Sequence, residues 1–225
     1  MNLLAKKRTK QEPREATVKI SAGDVKLDGV LHVPVNATGL VLFAHGSGSS
    51  RHSARNKFVA ASFQEAGLAT LLFDLLSADE ESVDLHSATL RFDIAFLAER
   101  LVHAIDWVAK KDETCHLPIG LFGSSTGAAA ALVAAAQRPR LVGAVVCRGG
   151  RVDLAQQVLP VIEAPTLLIV GGKDRTIIDL NQRAFHDLRC EKKIEIVPGA
   201  AHLFEEPGAL EHVSKVSRDW FIAEL

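Results

Sequence analysis

The chain has 225 residues, 48% of them hydrophobic, with 26 Lys and Arg against 27 Asp and Glu for a formal net charge of -1. A chain of this length builds one substantial core. The balanced charge excludes a disordered polyelectrolyte and gives no electrostatic reason to expect nucleic acid as a partner.

The opening "MNLLAKKRTK" is basic, but no apolar stretch follows it as in a secretory signal, and no later run reaches membrane-spanning length. A cytoplasmic location with no membrane partner is expected. Residues 1 to 16 are expected to form a mobile polar arm, with a basic interaction segment as the alternative, ahead of a single domain over 17 to 225. "ATVKI" and "VKLDGVLHVP" alternate polar and apolar residues, as an antiparallel pair at a half-exposed sheet edge does. The strands then change character. "GLVLFAH" (39 to 45), "ATLLFDL" (69 to 75), "PIGLFGS" (118 to 124), "LVGAVVC" (141 to 147) and "PTLLIVGG" (165 to 172) are nearly continuous apolar runs, the pattern of strands covered on both faces, and "KIEIVPG" (193 to 199) closes the series. Between them lie helical spacings such as Ile94, Leu97, Leu101, Ile105 and Val108, or Leu210, Val213, Val216 and Trp220 after Pro207 in a first turn. "LLSADEESVDLHS" (75 to 87) is expected as an acidic loop, bordering the site or facing water. Strand alternating with helix predicts an α/β fold, a mostly parallel sheet wrapped on both sides.

Ligands and catalytic groups collect at the carboxyl ends of such strands. Here the strands deliver "HGSGSS" (45 to 50), "GSSTG" (123 to 127), "GGKD" (171 to 174) and "PGAAHLF" (198 to 204). Serine, aspartate and histidine thus arrive in the order Ser125, Asp174, His202, the chain order of an α/β-hydrolase triad. In the G-x-S-x-G reading of 123 to 127, the chain turns sharply from strand to helix. Glycines at 123 and 127 leave room for that turn and Ser125 stands clear as the nucleophile, while Ser124 is a neighbour only. The Thr126 N–H, at the helix start, is one expected oxyanion donor, and the Ser47 N–H, with Gly48 in reserve, is the other. His202 is the expected general base and Asp174 its partner, doubling as the N-cap of "RTIIDLNQRAF"; Glu205 and Asp179 are the alternative acids. His45 is expected to be structural, bonding the loop after its strand. Arg148, with Arg51, Arg55 and Arg151, follows a strand end or the oxyanion loop and could bring a guanidinium to the mouth of the sheet, where Arg148 would bind a substrate carboxylate. The three cysteines, Cys115, Cys147 and Cys190, have no C-x-x-C spacing and read as bystanders, so no metal site is expected.

"HGSGSS", "FDLL", "GLFGSSTGAAAAL", "GGKD" and "PGAAHLFEEPG", in that order, make the chain resemble the dienelactone hydrolase-like branch of the α/β-hydrolase superfamily over about residues 17 to 225. The resemblance implies an eight-stranded α/β-hydrolase core acting on small-molecule esters or lactones with no cofactor. Dienelactone hydrolases proper carry cysteine in G-x-C-x-G, where this chain has Ser125. Larger relatives insert a cap after the strand that ends here near Cys147, and "RGGRVDLAQQVLPVIEA" (148 to 164) is too short for a sizeable one. Some chains of this type carry transferase names; nothing in these residues supports a phosphoribosyl site. Two other readings compete. Gly120, Gly123 and Gly127 after a strand imitate the phosphate loop of an NADP-type dinucleotide-binding protein, and a hydrolase-fold chain can also be a non-catalytic binding protein.

Overall fold

A computed structural model describes residues 13 to 225; residues 1 to 12, most of the expected arm, lie outside the described residues. β1 (Arg14–Ala22) and β2 (Val25–Val33) form the expected antiparallel hairpin, turning at Gly23 with φ +64°. The strand starts at Arg14, so it takes in the last three residues assigned by sequence to the arm. β2 pairs antiparallel with β4 (Leu68–Phe73). From there every ladder is parallel, through β3 (Gly39–Ala44), β5 (Ile119–Ser124), β6 (Val142–Arg148), β7 (Thr166–Gly171) and β8 (Lys192–Val197), in the spatial order β1-β2-β4-β3-β5-β6-β7-β8. β3, β4, β5 and β7 are buried along their whole length, which is why their sequences are continuous apolar runs rather than alternating ones.

α1 (Ala54–Glu65) and α6 (Ala209–Glu224) cover one face, and α3 (Ile94–Val108), α4 (Thr126–Gln137) and α5 (Arg175–Asp187) cover the other. Phe43, Phe63, Phe122 and Phe221 fill the first face, with ring centroids 5.0 to 6.0 Å apart. α6 begins two residues past Pro207, after Gly208 in the left-handed region. α4 buries nine of its twelve residues, most of them alanine, so its backbone lies close to both the sheet and α3. The connection from β6 to β7 holds only short 3₁₀ turns at Val152–Ala155 and Leu159–Val161, with no inserted cap there.

One segment departs from expectation. Residues 75 to 87 are not an acidic loop; they contain α2 (Ala78–Ser87). Ser77 Oγ accepts the Glu80 N–H while Glu80 Oε2 accepts the Ser77 N–H, a reciprocal cap, and Asp79, Glu80 and Glu81 sit in the first turn where the helix dipole favours negative charge. The acidity that suggested solvent is the helix's own start signal.

Gly120 is the second residue of β5, where a Cβ would stand 2.5 Å from the Phe221 ring. Gly120→Ala should therefore cost roughly 1–3 kcal/mol through overpacking. Urea denaturation should show a lowered midpoint, partly restored by adding Phe221→Leu; an unshifted midpoint would mean that the ring has room to move.

Candidate active site

The polar groups singled out in the sequence lie at the carboxyl ends of β3, β5, β7 and β8, and the one after β5 sits on a backbone distortion. Ser125 has φ +52° and ψ -120°, a conformation that costs a non-glycine residue on the order of 1–3 kcal/mol. Three backbone hydrogen bonds hold it there. Its N–H donates to the Arg148 carbonyl at 3.2 Å, and its own carbonyl accepts from Ala128 at 3.1 Å and Arg151 at 3.0 Å. The flanking glycines are required by close approach: a Cβ at Gly123 would lie 2.5 Å from Ala128 Cα, and one at Gly127 2.2 Å from the Ala44 carbonyl oxygen. Gly120, Gly123 and Gly127 thus make room for Phe221, α4 and β3.

Asp174 and His202 come together as the sequence suggests. Asp174 caps α5, its Oδ1 accepting the Ile177 N–H at 3.4 Å, while its Oδ2 lies 2.7 Å from His202 Nδ1. The approach depends on Gly171, where a Cβ would sit 2.5 Å from the Ala201 carbonyl oxygen, and on the Lys173 N–H bonding the Ala200 carbonyl at 2.9 Å. Glu205 pairs instead with Arg55 at 2.8 Å, so that alternative acid is committed elsewhere. Three supports of the histidine escaped sequence reading. Gly149, at φ +53°, lies under the His202 ring, where a Cβ would be 3.4 Å from Cε1; Glu206 accepts the Ala201 N–H at 3.0 Å; and Phe204, buried at φ +57°, anchors the loop. A glycine pair after a strand, Gly149-Gly150, was the only available signal. Against Ser125, a Cβ at Gly46 would lie 3.0 Å from Ser125 Cβ, so the oxyanion loop abuts the elbow.

The loop itself is fixed by His45. Its Nε2 accepts the Leu75 N–H at 3.1 Å and its Nδ1 lies 3.0 Å from the Gly46 carbonyl, the structural role expected for it. Ser47 differs from expectation. Its N–H donates to Thr126 Oγ1 at 3.1 Å, so this amide already has an acceptor. Beside the loop lies a cleft of about 90 Å³, bounded by Ser47, Leu75, Leu76, Glu81, Leu85 and Leu97.

The four arginines do not converge on the mouth. Arg51 pairs with Asp74, Arg55 with Glu205 and Arg151 with Asp153. Arg148 corrects the expectation most. It follows the α1 and α6 face of the sheet, stacks its guanidinium 5.9 Å from the Phe122 ring centroid and is buried, with Nη1 lacking a hydrogen-bond partner among the described residues. Strand alternation puts it there, in step with Ala144 and Val146, and burial followed by the Arg55 cation lowers its pKa. Cys147 faces α4, fully buried, and burial raises its pKa. Among the described residues no three His, Cys, Asp or Glu side chains converge as a metal ion would need, and no helix is long and apolar enough to cross a membrane.

Comparison with known proteins adds a family. The model of the dienelactone hydrolase family matches residues 27–220. A crystal structure of dienelactone hydrolase from Anabaena variabilis is 56% identical, with a TM-score of 0.94, over 96% of this chain and 100% of that one. Est1E from Butyrivibrio proteoclasticus, at 16% identity, shares the fold with a TM-score of 0.77 over 92% of this chain and 98% of its own. Two Mycobacterium tuberculosis proteins named "Putative phosphoribosyl transferase" are 52% identical over 212 residues, which is 94% of this chain and 47% of theirs. The chain therefore spans about half the length of the curated relatives it matches.

Burial lowers the pKa of His45, against the opposing pulls of the Gly46 carbonyl, Asp74 and Glu81. A depressed folded-state pKa means that the unfolded chain binds the proton first. The stability contributed by neutral His45 is present above the ordinary histidine range, near 6.5, and is lost as pH falls through the lowered value. Urea denaturation between pH 8 and 5 should show this loss in the wild type and a shallower one in His45→Asn; parallel slopes would remove His45 as the cause.

Proposed function

The chain belongs to the dienelactone hydrolase family, and on that premise we propose that it is a serine hydrolase of small carboxylic esters or lactones. The observation that carries the reading is the strained Ser125 elbow at the same sheet edge as the 2.7 Å Asp174–His202 contact. A serine hydroxyl is a weak nucleophile until a base takes its proton, and an aspartate bonded to Nδ1 leaves Nε2 as the basic nitrogen. In the proposed first step Ser125 Oγ bonds to the ester carbonyl carbon, its proton passes to His202 Nε2, and the carbonyl π pair moves onto oxygen. The oxyanion collapses as the alkoxide leaves with the proton from His202. Water then repeats the sequence on the acyl-enzyme. Asp174 holds the ring and stabilises the imidazolium.

The short β6–β7 connection, with no inserted cap, favours short acyl groups over lipid chains. Serine in place of the family's cysteine favours carboxylic esters. The phosphoribosyl transferase name belongs to relatives more than half of whose length lies outside the match.

A fluorophosphonate should label the protein once, at Ser125, and Ser125→Ala should abolish both labelling and ester turnover while the fold is retained. His202→Ala should behave alike in turnover, and Asp174→Asn should lose up to about 10⁴-fold in kcat. Ser124→Ala should stay near wild type. A Ser125→Ala protein that still turns over ester, or inactivation by iodoacetamide, would overturn the reading.

A further inference from the structure

Two backbone amides are the ordinary expectation for an oxyanion site, here those of Thr126 and Ser47, yet the Ser47 N–H is directed at Thr126 Oγ1, 3.1 Å away. A backbone amide has one proton. As long as that bond stands, Ser47 cannot also point its proton at a substrate oxygen with good geometry. The acceptor is equally informative. Thr126 Oγ1 receives a proton from Ser47, and among the described residues its own hydroxyl proton reaches no acceptor. Thr126 is the first residue of α4, so no earlier helical turn offers that proton a carbonyl as Val213 offers one to Ser217 inside α6 at 2.7 Å, and the Thr126 side chain is buried.

The position of this hydroxyl gives the free proton a use. Thr126 directly follows Ser125 and opens α4, so its backbone N–H has no partner inside the helix. Its side chain stands at the seam where the oxyanion loop abuts the elbow, between Ser47 and the residue whose Cβ lies 3.0 Å from a Cβ built on Gly46.

We propose that the Thr126 hydroxyl is the second oxyanion donor of this chain, and that the Ser47 amide is its positioning group. The inference rests on the serine hydrolase reading above. As Ser125 Oγ bonds to the carbonyl carbon and its proton goes to His202, the electron pair moved onto the substrate oxygen is met by the N–H and the O–H of one residue. Ser47 donating to Oγ1 fixes the hydroxyl rotor and polarises its O–H bond toward the oxyanion. The hole is then carried by the elbow residue itself, and the loop's part is to orient it.

This assignment and the two-amide alternative predict opposite signs for one substitution. Thr126→Val keeps shape and removes the hydroxyl. If the hydroxyl is the donor, the fluorophosphonate labelling rate and kcat on a short ester both fall on the order of 100-fold with KM little changed, and Thr126→Ser restores most of both. Thr126→Ala gives the same loss and decides the matter should the valine variant fold poorly. If Ser47 is the true donor, removing its competing acceptor frees the amide, and both rates hold or rise, which overturns the proposal. A loss of kcat accompanied by a comparable rise in KM also overturns it, because the hydroxyl would then only be holding the loop that bounds the cleft. Wild-type protein that takes no label would sink the hydrolase reading and this inference together, whereas labelled wild type with equally fast Thr126→Val sinks this inference alone.

Discussion

The sheet edge that carries Ser125 hangs on one close approach, the first turn of α4 against the ends of β3 and β5. Any Cβ at 123 or 127 would press into Ala128 or the Ala44 carbonyl, and alanines along α4 let the rest of the helix settle at the same depth. Ser125 takes the strain of that geometry. A conformation unfavourable by a few kcal/mol persists because its amide and carbonyl are both held by neighbouring backbone, so relaxing it would break several hydrogen bonds at once. The same bonds tie the elbow to the loop after β6, which carries Gly149 under the His202 ring. Ser125 and His202 are thus positioned through one continuous run of backbone.

Charge follows a second logic. Most arginines near the site are neutralised internally, and what those pairs do is hold loops. Arg55–Glu205 ties α1 to the histidine loop, and Arg51–Asp74 ties the oxyanion loop to the end of β4. α2 is attached in the same manner, through Glu80–Arg100 and Asp84–Arg91, while its Val83 and Leu85 remain exposed. α2 is thus held to the rest of the chain by ion pairs with little apolar burial of its own.

Family membership and chemistry meet at position 125. The thiol nearest the elbow, Cys147, cannot stand in for the family's cysteine, because it is enclosed against α4 with its sulfur 4.0 Å from the Ala128 carbonyl. Burial disfavours its thiolate, the form that attacks carbonyls. On the proposed reading the serine depends instead on its neighbours at the sheet edge, His202 as base and Asp174 as the acid that orients it.

Fold class and the strand-end placement of Ser125, Asp174 and His202 were legible in the sequence because they are written in local signals. Continuous apolar runs marked the buried strands, glycines two residues either side of Ser125 marked the elbow, and the strand-end positions of Asp174 and His202 followed from counting strands. α2 was legible too, in Ser77 and Glu80, but its acidic first turn resembled solvated loop. What the sequence could not carry was direction. Whether Arg148 faces the mouth or the α1 and α6 side depends on strand parity at the end of β6, and on which helices cover that face. Whether the Ser47 N–H points at a substrate or at Thr126 depends on how closely two segments 79 residues apart are pressed together. A sequence specifies which groups are present and on which element. The hydrogen-bond partner of each is chosen only when packing brings distant segments within about 3 Å, where a small shift of one backbone changes which acceptor a proton finds.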